Sequence, residues 1–256
     1  MLKPEYLGYF LENKTNSLSV LTDNVGVKHV NTQMLRDFLV LLPPIEIQEK
    51  IIGEITEIEK KESEAKQKIN KLQDRINKIF EYQKDTVSAK EIAIKDIAKS
   101  LFAGGDIPRD NFSKSKTDEF QIPIYSNNVK KAIYGYTNIV KVNKPCVTIT
   151  ARGTIGHVEF RNEKFYPIIR LIVLIPKIEV ANPLYLKYIL SRIGIKNTGS
   201  VIPQLTIPKI SDVKVQLPLL KIQEKIVKEV EEIERAKQFL INAKEMKQEV
   251  LNKHLK

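Results

Sequence analysis

LPPIEIQEKIIGEITEIEK, from Leu42 to Lys60, and LPLLKIQEKIVKEVEEIER, from Leu217 to Arg235, are nearly the same stretch written twice in one 256-residue chain. Eleven of the nineteen aligned positions are identical, and Ile47-Gln48-Glu49-Lys50-Ile51 recurs intact as Ile222-Gln223-Glu224-Lys225-Ile226, 175 residues later. A fainter echo precedes each copy: Pro4-Glu5-Tyr6-Leu7-Gly8-Tyr9-Phe10-Leu11 resembles Pro183-Leu184-Tyr185-Leu186-Lys187-Tyr188-Ile189-Leu190, and Asp37 stands where Asp212 stands. The period is far too long for a solenoid. It predicts a duplicated domain-plus-helix unit whose first copy is cut short at its front.

Each copy opens a helix. Pro43-Pro44 follows a predicted apolar strand, Phe38–Leu42, and proline suits a first helical turn because its missing N–H has no work there. Glu46 and Glu49 complement the dipole of that turn. Ile51, Ile55, Ile58, Glu62, Ala65, Ile69, Leu72, Ile76 and Ile79 then step by fours and threes, a heptad seam that predicts coiled-coil pairing. A helix from Glu46 to Lys84 would be roughly 55–60 Å long. The second copy runs from Pro218 to the C-terminus with the stripe Ile226, Val230, Ile233, Ala236, Leu240, Ala243, Met246 and Val250. Neither amphipathic helix is stable alone in water, so the two are expected to pair antiparallel, with trans pairing to another chain as the competitor. Glu62 in the seam either sets register or marks a solvated stretch; the second is expected.

Between the helices, residues 91–217 carry short β-like runs: Gln121–Tyr125, Cys146–Ala151, His157–Phe160 and Ile168–Ile175. Gly104-Gly105-Asp106, Ser126-Asn127-Asn128, Arg152-Gly153 and Arg161-Asn162 punctuate them. Pro183–Ile193 predicts a helix stopped by Gly194, followed by an extended run from Gly199 to Pro218. The fold class expected is α+β.

Apolar residues make up 42 % of the chain, which excludes a disordered composition. No apolar run approaches the ~18 residues of a membrane span, and the first residues lack the pattern of a signal peptide. The single cysteine, Cys146, excludes an intrachain disulfide framework. A cytoplasmic protein is expected. The net charge is +11. Residues 46–91 hold ten basic and eleven acidic side chains, whereas 93–180 hold fourteen and eight, so part of the excess lies in the middle domain, where it suits a polyanion. Lysine-rich composition serving solubility is the plainer alternative.

The two P-x-x-x-I-Q-E-K-I openings, their preceding P-x-Y-L-x-Y helices, Ile94-Lys95-Asp96-Ile97-Ala98 with Gly104-Gly105-Asp106-Ile107-Pro108, and Ala151-Arg152-Gly153-Thr154-Ile155-Gly156 occur in an order that resembles the specificity subunit of type I restriction–modification systems. The resemblance covers the whole chain. It implies target-recognition domains alternating with long helices, each domain reading half of a bipartite DNA site. It implies a remnant of a first recognition domain at 1–44, a spacer helix at 45–88, a target-recognition domain at 89–217 and a second spacer helix at 218–256, the two helices pairing as an antiparallel coiled coil. The family pattern has two complete recognition domains; here the first is only a tail. The implied partners are double-stranded DNA, methyltransferase subunits of the same system, its ATP-dependent translocase–nuclease restriction subunit, and a second copy of the chain as a homodimer. Methyl transfer and cleavage belong to those partners, so the chain itself is expected to be non-catalytic and to need no cofactor. A recognition module detached from a fused restriction–methylation enzyme, and a coiled-coil adaptor whose middle domain binds protein, are the alternatives.

Candidate DNA contacts are Arg152, Gly153 and Thr154, where glycine permits close backbone approach and Arg forks onto guanine or phosphate. Ser126, Asn127, Asn128, Lys130 and Lys131 mix amides that read adenine with lysines that neutralise phosphate. Tyr134 and Tyr136 lie on sugars or fill core; Arg109, Lys141 and Gln204 touch DNA or are solvated surface. For each turn the alternative is an ordinary solvent-facing hairpin. His29, His157 and His254 have no ligand spacing, Cys146 has no nucleophile's neighbours, and no phosphate-loop or amino-methyltransferase tetrapeptide occurs.

Overall fold

The computed structural model describes residues 1–13, 39–84, 90–195 and 204–255. His29, Phe38 and Asp37 lie outside them, as does the start of the run from Gly199. The chain divides into two compact units, Met1–Asp74 with Glu232–Lys256, and Arg75–Glu231.

The first unit contains α1 (Pro4–Asn13), most of α2 (Ile45–Lys84) and the C-terminal part of the last helix, α6 (Leu220–His254). Their apolar stripes meet in one cluster. Tyr6 and Phe10 of α1 pack with Ile51, Ile55 and Ile58 of α2 and with Ala243, Val250 and Leu251 of α6. Ion pairs give the direction. Glu54 meets Lys253 and His254, Glu62 meets Lys247, and Lys68 meets Glu232. Numbers rise along α2 as they fall along α6, so the helices are antiparallel. Glu62 is not in a solvated stretch as expected: its carboxylate pairs with Lys247 at 2.8 Å, both side chains being about four-fifths buried. The antiparallel partner places a cation opposite this polar seam position. Burial works against the Lys247 charge, but Glu62 and Glu59 hold its ammonium above its usual pKa. The middle of the seam is thinner than its heptads suggest, because Ala65 and Ile69 are only half-buried.

Of the strand expected at Phe38–Leu42, the described residues Leu39–Leu42 run as coil, as do Pro43 and Pro44. Side chains satisfy two of its carbonyls: Tyr6 donates its hydroxyl to the Leu41 carbonyl at 2.6 Å and Gln48 donates to that of Pro43 at 2.9 Å.

In the second unit, β2 (Ala98–Ala103), β8 (Ile172–Pro176), β5 (Cys146–Ile149) and β6 (Val158–Arg161) form an antiparallel sheet in the order β2-β8-β5-β6. A second sheet has the order β4-β3-β7, from β3 (Ile122–Tyr125), β4 (Ile133–Thr137) and β7 (Tyr166–Pro167), with β3 and β7 parallel. β1 (Lys90–Ala93) pairs with β9 (Lys214–Leu217), and the single turn α3 (Ile94–Ile97) follows β1. Central strands β5 and β8 are buried almost throughout, with Val147, Ile149, Val173 and Leu174 fully enclosed, which explains their continuous apolar runs. The run from Gly199 to Pro218 is not wholly extended. Thr206 and Pro208 start the short helix α5 (Ile207–Ser211) before β9. α4 (Pro183–Ile193) has the predicted bounds. The Asn182 side chain caps it by accepting from the Leu184 amide at 2.9 Å, and Gly194 ends it at φ 66°.

The seam also slips by one residue at the end of α2. Phe80 is buried where the heptad predicts Ile79, since an α-helix drifts against a strict seven-residue repeat. Phe80 stacks on Tyr188 of α4 (centroids 6.4 Å apart), with the Arg192 guanidinium 5.0 Å from its ring.

The repeated IQEKI block has an atomic counterpart. Gln48 and Gln223 are both fully buried. Gln223 donates to the carbonyls of Val180 (2.9 Å) and Pro218 (2.7 Å), and its oxygen accepts from the Asn182 amide at 2.8 Å. Gln48 donates to Met1 (3.1 Å) and Pro43 (2.9 Å), and accepts from the Lys3 amide at 2.9 Å. Tyr185 donates to the Gln216 carbonyl at 2.7 Å as Tyr6 does to Leu41. Each copy therefore ties three segments: the approach to a short helix, the exit strand or coil, and the first turn of a long helix.

Candidate nucleic-acid interface

Three loops of the second unit converge on one side chain. After β3, the Asn127 amide lies against two neighbouring loops. Its oxygen accepts from the Ala151 amide at 2.7 Å, and its nitrogen donates to the Ile169 carbonyl. Asn127 was expected to read a base; both ends of its amide are instead spent on backbone, which makes it a brace between loops. Asn128 is a turn former as well. Its carbonyl oxygen accepts from the amides of Lys130 (3.1 Å) and Lys131 (3.0 Å), an Asx turn that leaves both lysine side chains exposed. Ser126 is buried and its hydroxyl accepts from the Asn128 amide at 3.4 Å.

The second loop, Ala151–Gly156, is closed by the Gly156 amide on the Thr150 carbonyl (2.9 Å) and by the Thr150 hydroxyl on the Thr154 carbonyl. Gly153 and Gly156 have φ of 68° and 78°, and a Cβ on Gly156 would collide with the Ile195 carbonyl. This geometry lifts Arg152, Gly153 and Thr154 into solvent. One guanidinium nitrogen of Arg152 donates to the Gln204 side-chain oxygen at 3.0 Å, so two candidates 52 residues apart meet.

The third loop, Ile168–Leu171, was expected to be the start of a strand. It is a turn, and β8 begins only at Ile172. It brings Ile169 and Arg170 to the surface beside Asn127, and the apolar run Ile168–Ile175 hides this in the sequence.

Tyr134 is partly exposed and leans on Phe112 at 5.8 Å, whereas Tyr136 is half-buried and exchanges backbone hydrogen bonds with Ser113 at 2.7 and 2.9 Å. Lys141 is exposed with its ammonium 5.3 Å from the Tyr166 ring centroid. Arg109 is exposed in a 3₁₀ turn, Arg109–Asn111, and no hydrogen bond ties it to the three loops.

Behind the first loop lies a cavity of about 250 Å³ lined by Ser126, Thr148, Thr150, His157, Glu159 and Arg161. His157 pairs with Glu159 at 2.9 Å. Arg161 covers the Tyr125 ring at 3.8 Å; burial and the neighbouring Glu163 carboxylate push the Tyr125 hydroxyl up to about 12. Burial pushes the Cys146 thiol up to about 12 too, so it is a neutral core group at physiological pH. Among the described residues no three His, Cys, Asp or Glu side chains are grouped to hold a metal ion. Among them also, no helix is long and apolar enough to cross a membrane.

Residues 2–74 and 87–251 match the type I restriction–modification DNA specificity domain, and the chain belongs to that family. Two Mycoplasma pneumoniae proteins are similar, both named as type I specificity subunits. S.MpnORF507P is 30 % identical over 232 residues, covering 88 % of this chain and 62 % of the relative; S.MpnORF89P is 27 % identical over 245 residues, covering 88 % and 71 %. The chain thus spans less than two thirds of the length of the first. Among solved structures, the S subunit of a type I restriction–modification system from M. genitalium superposes with TM-score 0.67 at 14 % identity, covering 99 % of this chain and 72 % of that one. The HsdS subunit from Thermoanaerobacter tengcongensis gives 0.51 at 16 %, covering 99 % and 70 %. At these identities the likeness shows the fold, a mixed helix-and-sheet architecture.

Proposed function

We propose that the chain is a sequence-reading, non-catalytic DNA-binding subunit of a type I restriction–modification system. Residues 89–217 act as its target-recognition domain, 45–88 and 218–256 as spacer helices that seat methyltransferase subunits, and 1–44 as the exit of another recognition unit. The carrying observation is the convergence of the three loops on Asn127 within a member of this family: Asn127 braces Ala151, which precedes Arg152 with its Gln204 contact, and the exposed Lys130 and Lys131 follow on its own loop. The lysines serve phosphates and Arg152, steadied by Gln204, serves a base edge. ATP-driven restriction belongs to a further subunit, and the assembly works in the cytoplasm. A fixed spacer suits this task because half-site separation on DNA is a matter of distance along the helix.

The reading is tested by binding to randomised duplex DNA with and without a methyltransferase partner. Replacing Lys130 and Lys131 together by Ala is expected to weaken binding to every duplex and to lower the log–log salt slope by roughly 0.9 per lost phosphate contact. Arg152→Ala is expected to cost about 1–3 kcal/mol on the preferred sequence and much less elsewhere. An unchanged salt slope, together with equal losses on all duplexes for Arg152→Ala, would count against the assignment.

The described residues hold two glutamine-stapled exits. Closed twofold dimers are the commonest soluble homo-oligomers. Under this reading a second copy of the chain, met directly or through methyltransferase subunits, is a further partner, giving a symmetric assembly on a palindromic bipartite site. Light scattering of the chain and of its methyltransferase complex measures this; a monomer in both preparations overturns it.

A further inference from the structure

Residues Ile168-Ile169-Arg170-Leu171 join β7 to β8, yet they do not take the extended path that their apolar character favours. Ile169 and Arg170 both lie in the left-handed region, at φ 52° and 61°. Two successive non-glycine residues there are rare, and a β-branched one is rarer still. Such a turn persists only where its surroundings over-determine it, and here they do. The Ile169 and Arg170 amides donate to the carbonyls of Gly105 (2.9 Å) and Gly104 (3.1 Å), and the Gly104 amide donates to the Leu171 carbonyl at 2.8 Å. The Ile168 amide donates to the Tyr125 carbonyl at 2.9 Å. The Ile169 carbonyl accepts from Asn127. Gly104 is what makes the grip close enough: a Cβ there would stand 2.6 Å from the Pro167 carbonyl carbon. The Gly104-Gly105 pair is thus a cradle for this turn.

Both side chains so presented are exposed. Ile169 is 43 % exposed. Arg170 is exposed, and among the described residues its guanidinium has no hydrogen bond or ion pair. A turn needed only to start β8 would carry glycine or asparagine. A free forked donor on an over-determined backbone is instead what base-edge recognition requires, because fixed placement decides which base is met. One further juxtaposition gives the turn its place. Asn127 holds Ala151, the residue before Arg152, with its oxygen, and Ile169, the residue before Arg170, with its nitrogen.

We infer that Arg170 is a second specificity-determining residue, contacting a guanine edge in the same half-site as Arg152, and that Asn127 is the positioning residue that spaces the two. This rests on the DNA-reading function proposed above. The test selects duplexes from a randomised library with the full chain bound to its methyltransferase partner. The wild type, Arg170→Ala, Arg170→Lys and Ile178→Ala are compared, with circular dichroism confirming the fold of each. The wild type is expected to enrich one motif. Arg170→Ala and Arg170→Lys should each lose preference at one or two adjacent base pairs by about 5- to 150-fold and keep the rest. Ile178→Ala, at an exposed position past the far end of β8, should retain the whole motif and act as the folding control. An unchanged motif in Arg170→Ala, or full retention in Arg170→Lys, overturns the proposal while the DNA-reading function stands. Absence of any motif in the wild type overturns both.

Discussion

Replacing Ile51 by Asp is expected to lower the melting temperature of the paired helices by roughly 10–20 °C, from a loss of about 5 kcal/mol spread over a chain of this size. Ile51 is fully buried in the cluster of Tyr6, Phe10, Ile55, Ala243, Val250 and Leu251. Truncating a buried isoleucine costs about 2–5 kcal/mol by lost transfer energy and cavity formation. A carboxylate adds the cost of an ionisable group in an apolar site. Ile51→Ala should therefore fall between the wild type and Ile51→Asp. Lys61→Asp, on the exposed side of the same helix, should stay within about 0.5 kcal/mol. Thermal unfolding followed by the helical circular dichroism signal measures all three. A melting temperature that Ile51→Asp leaves unmoved would mean that α2 is not held by this cluster.

Gln223→Ala is expected to destabilise the second unit by about 3–4 kcal/mol, because it strands three backbone groups at once, each worth roughly 1–3 kcal/mol when buried without a partner. These are the carbonyls of Val180 and Pro218 and the amide of Asn182. Gln223→Glu should be at least as damaging. It keeps an acceptor for Asn182 but turns a carboxylate oxygen toward two carbonyl oxygens. Gln48→Ala should cost a similar amount in the first unit, where Met1, Pro43 and Lys3 lose the equivalent bonds. The two glutamines share no partner, so the double variant should show the sum of the single losses. Denaturant unfolding of the four variants tests this. A loss below 1 kcal/mol in Gln223→Ala would show that water replaces the side chain at no cost, and that the staple is not what the repeat preserves.

The sequence by itself determined the parts whose information is local or periodic. The IQEKI repeat announced two equivalent helix openings, the four-and-three spacing of Ile51, Ile55 and Ile58 announced a buried seam, and Pro183 and Gly194 bounded α4. It also placed Arg152 on a glycine-flanked loop and Lys130 and Lys131 on an exposed turn. Tertiary structure alone decided what depends on partners remote in the chain. Nothing near Gln48 or Gln223 says that a polar residue in a helix opening will be fully buried, since its three partners arrive from other segments. Glu62 is a seam defect until Lys247, far along the chain, stands opposite it. Asn127 has a base reader's amide, and only the approach of Ala151 and Ile169 turns it into a brace. Ile168–Ile175 reads as one strand because hydrophobicity reports burial and not φ. The backbone of Gly104 and Gly105, more than sixty residues earlier, bends its first four residues into the turn that exposes Arg170.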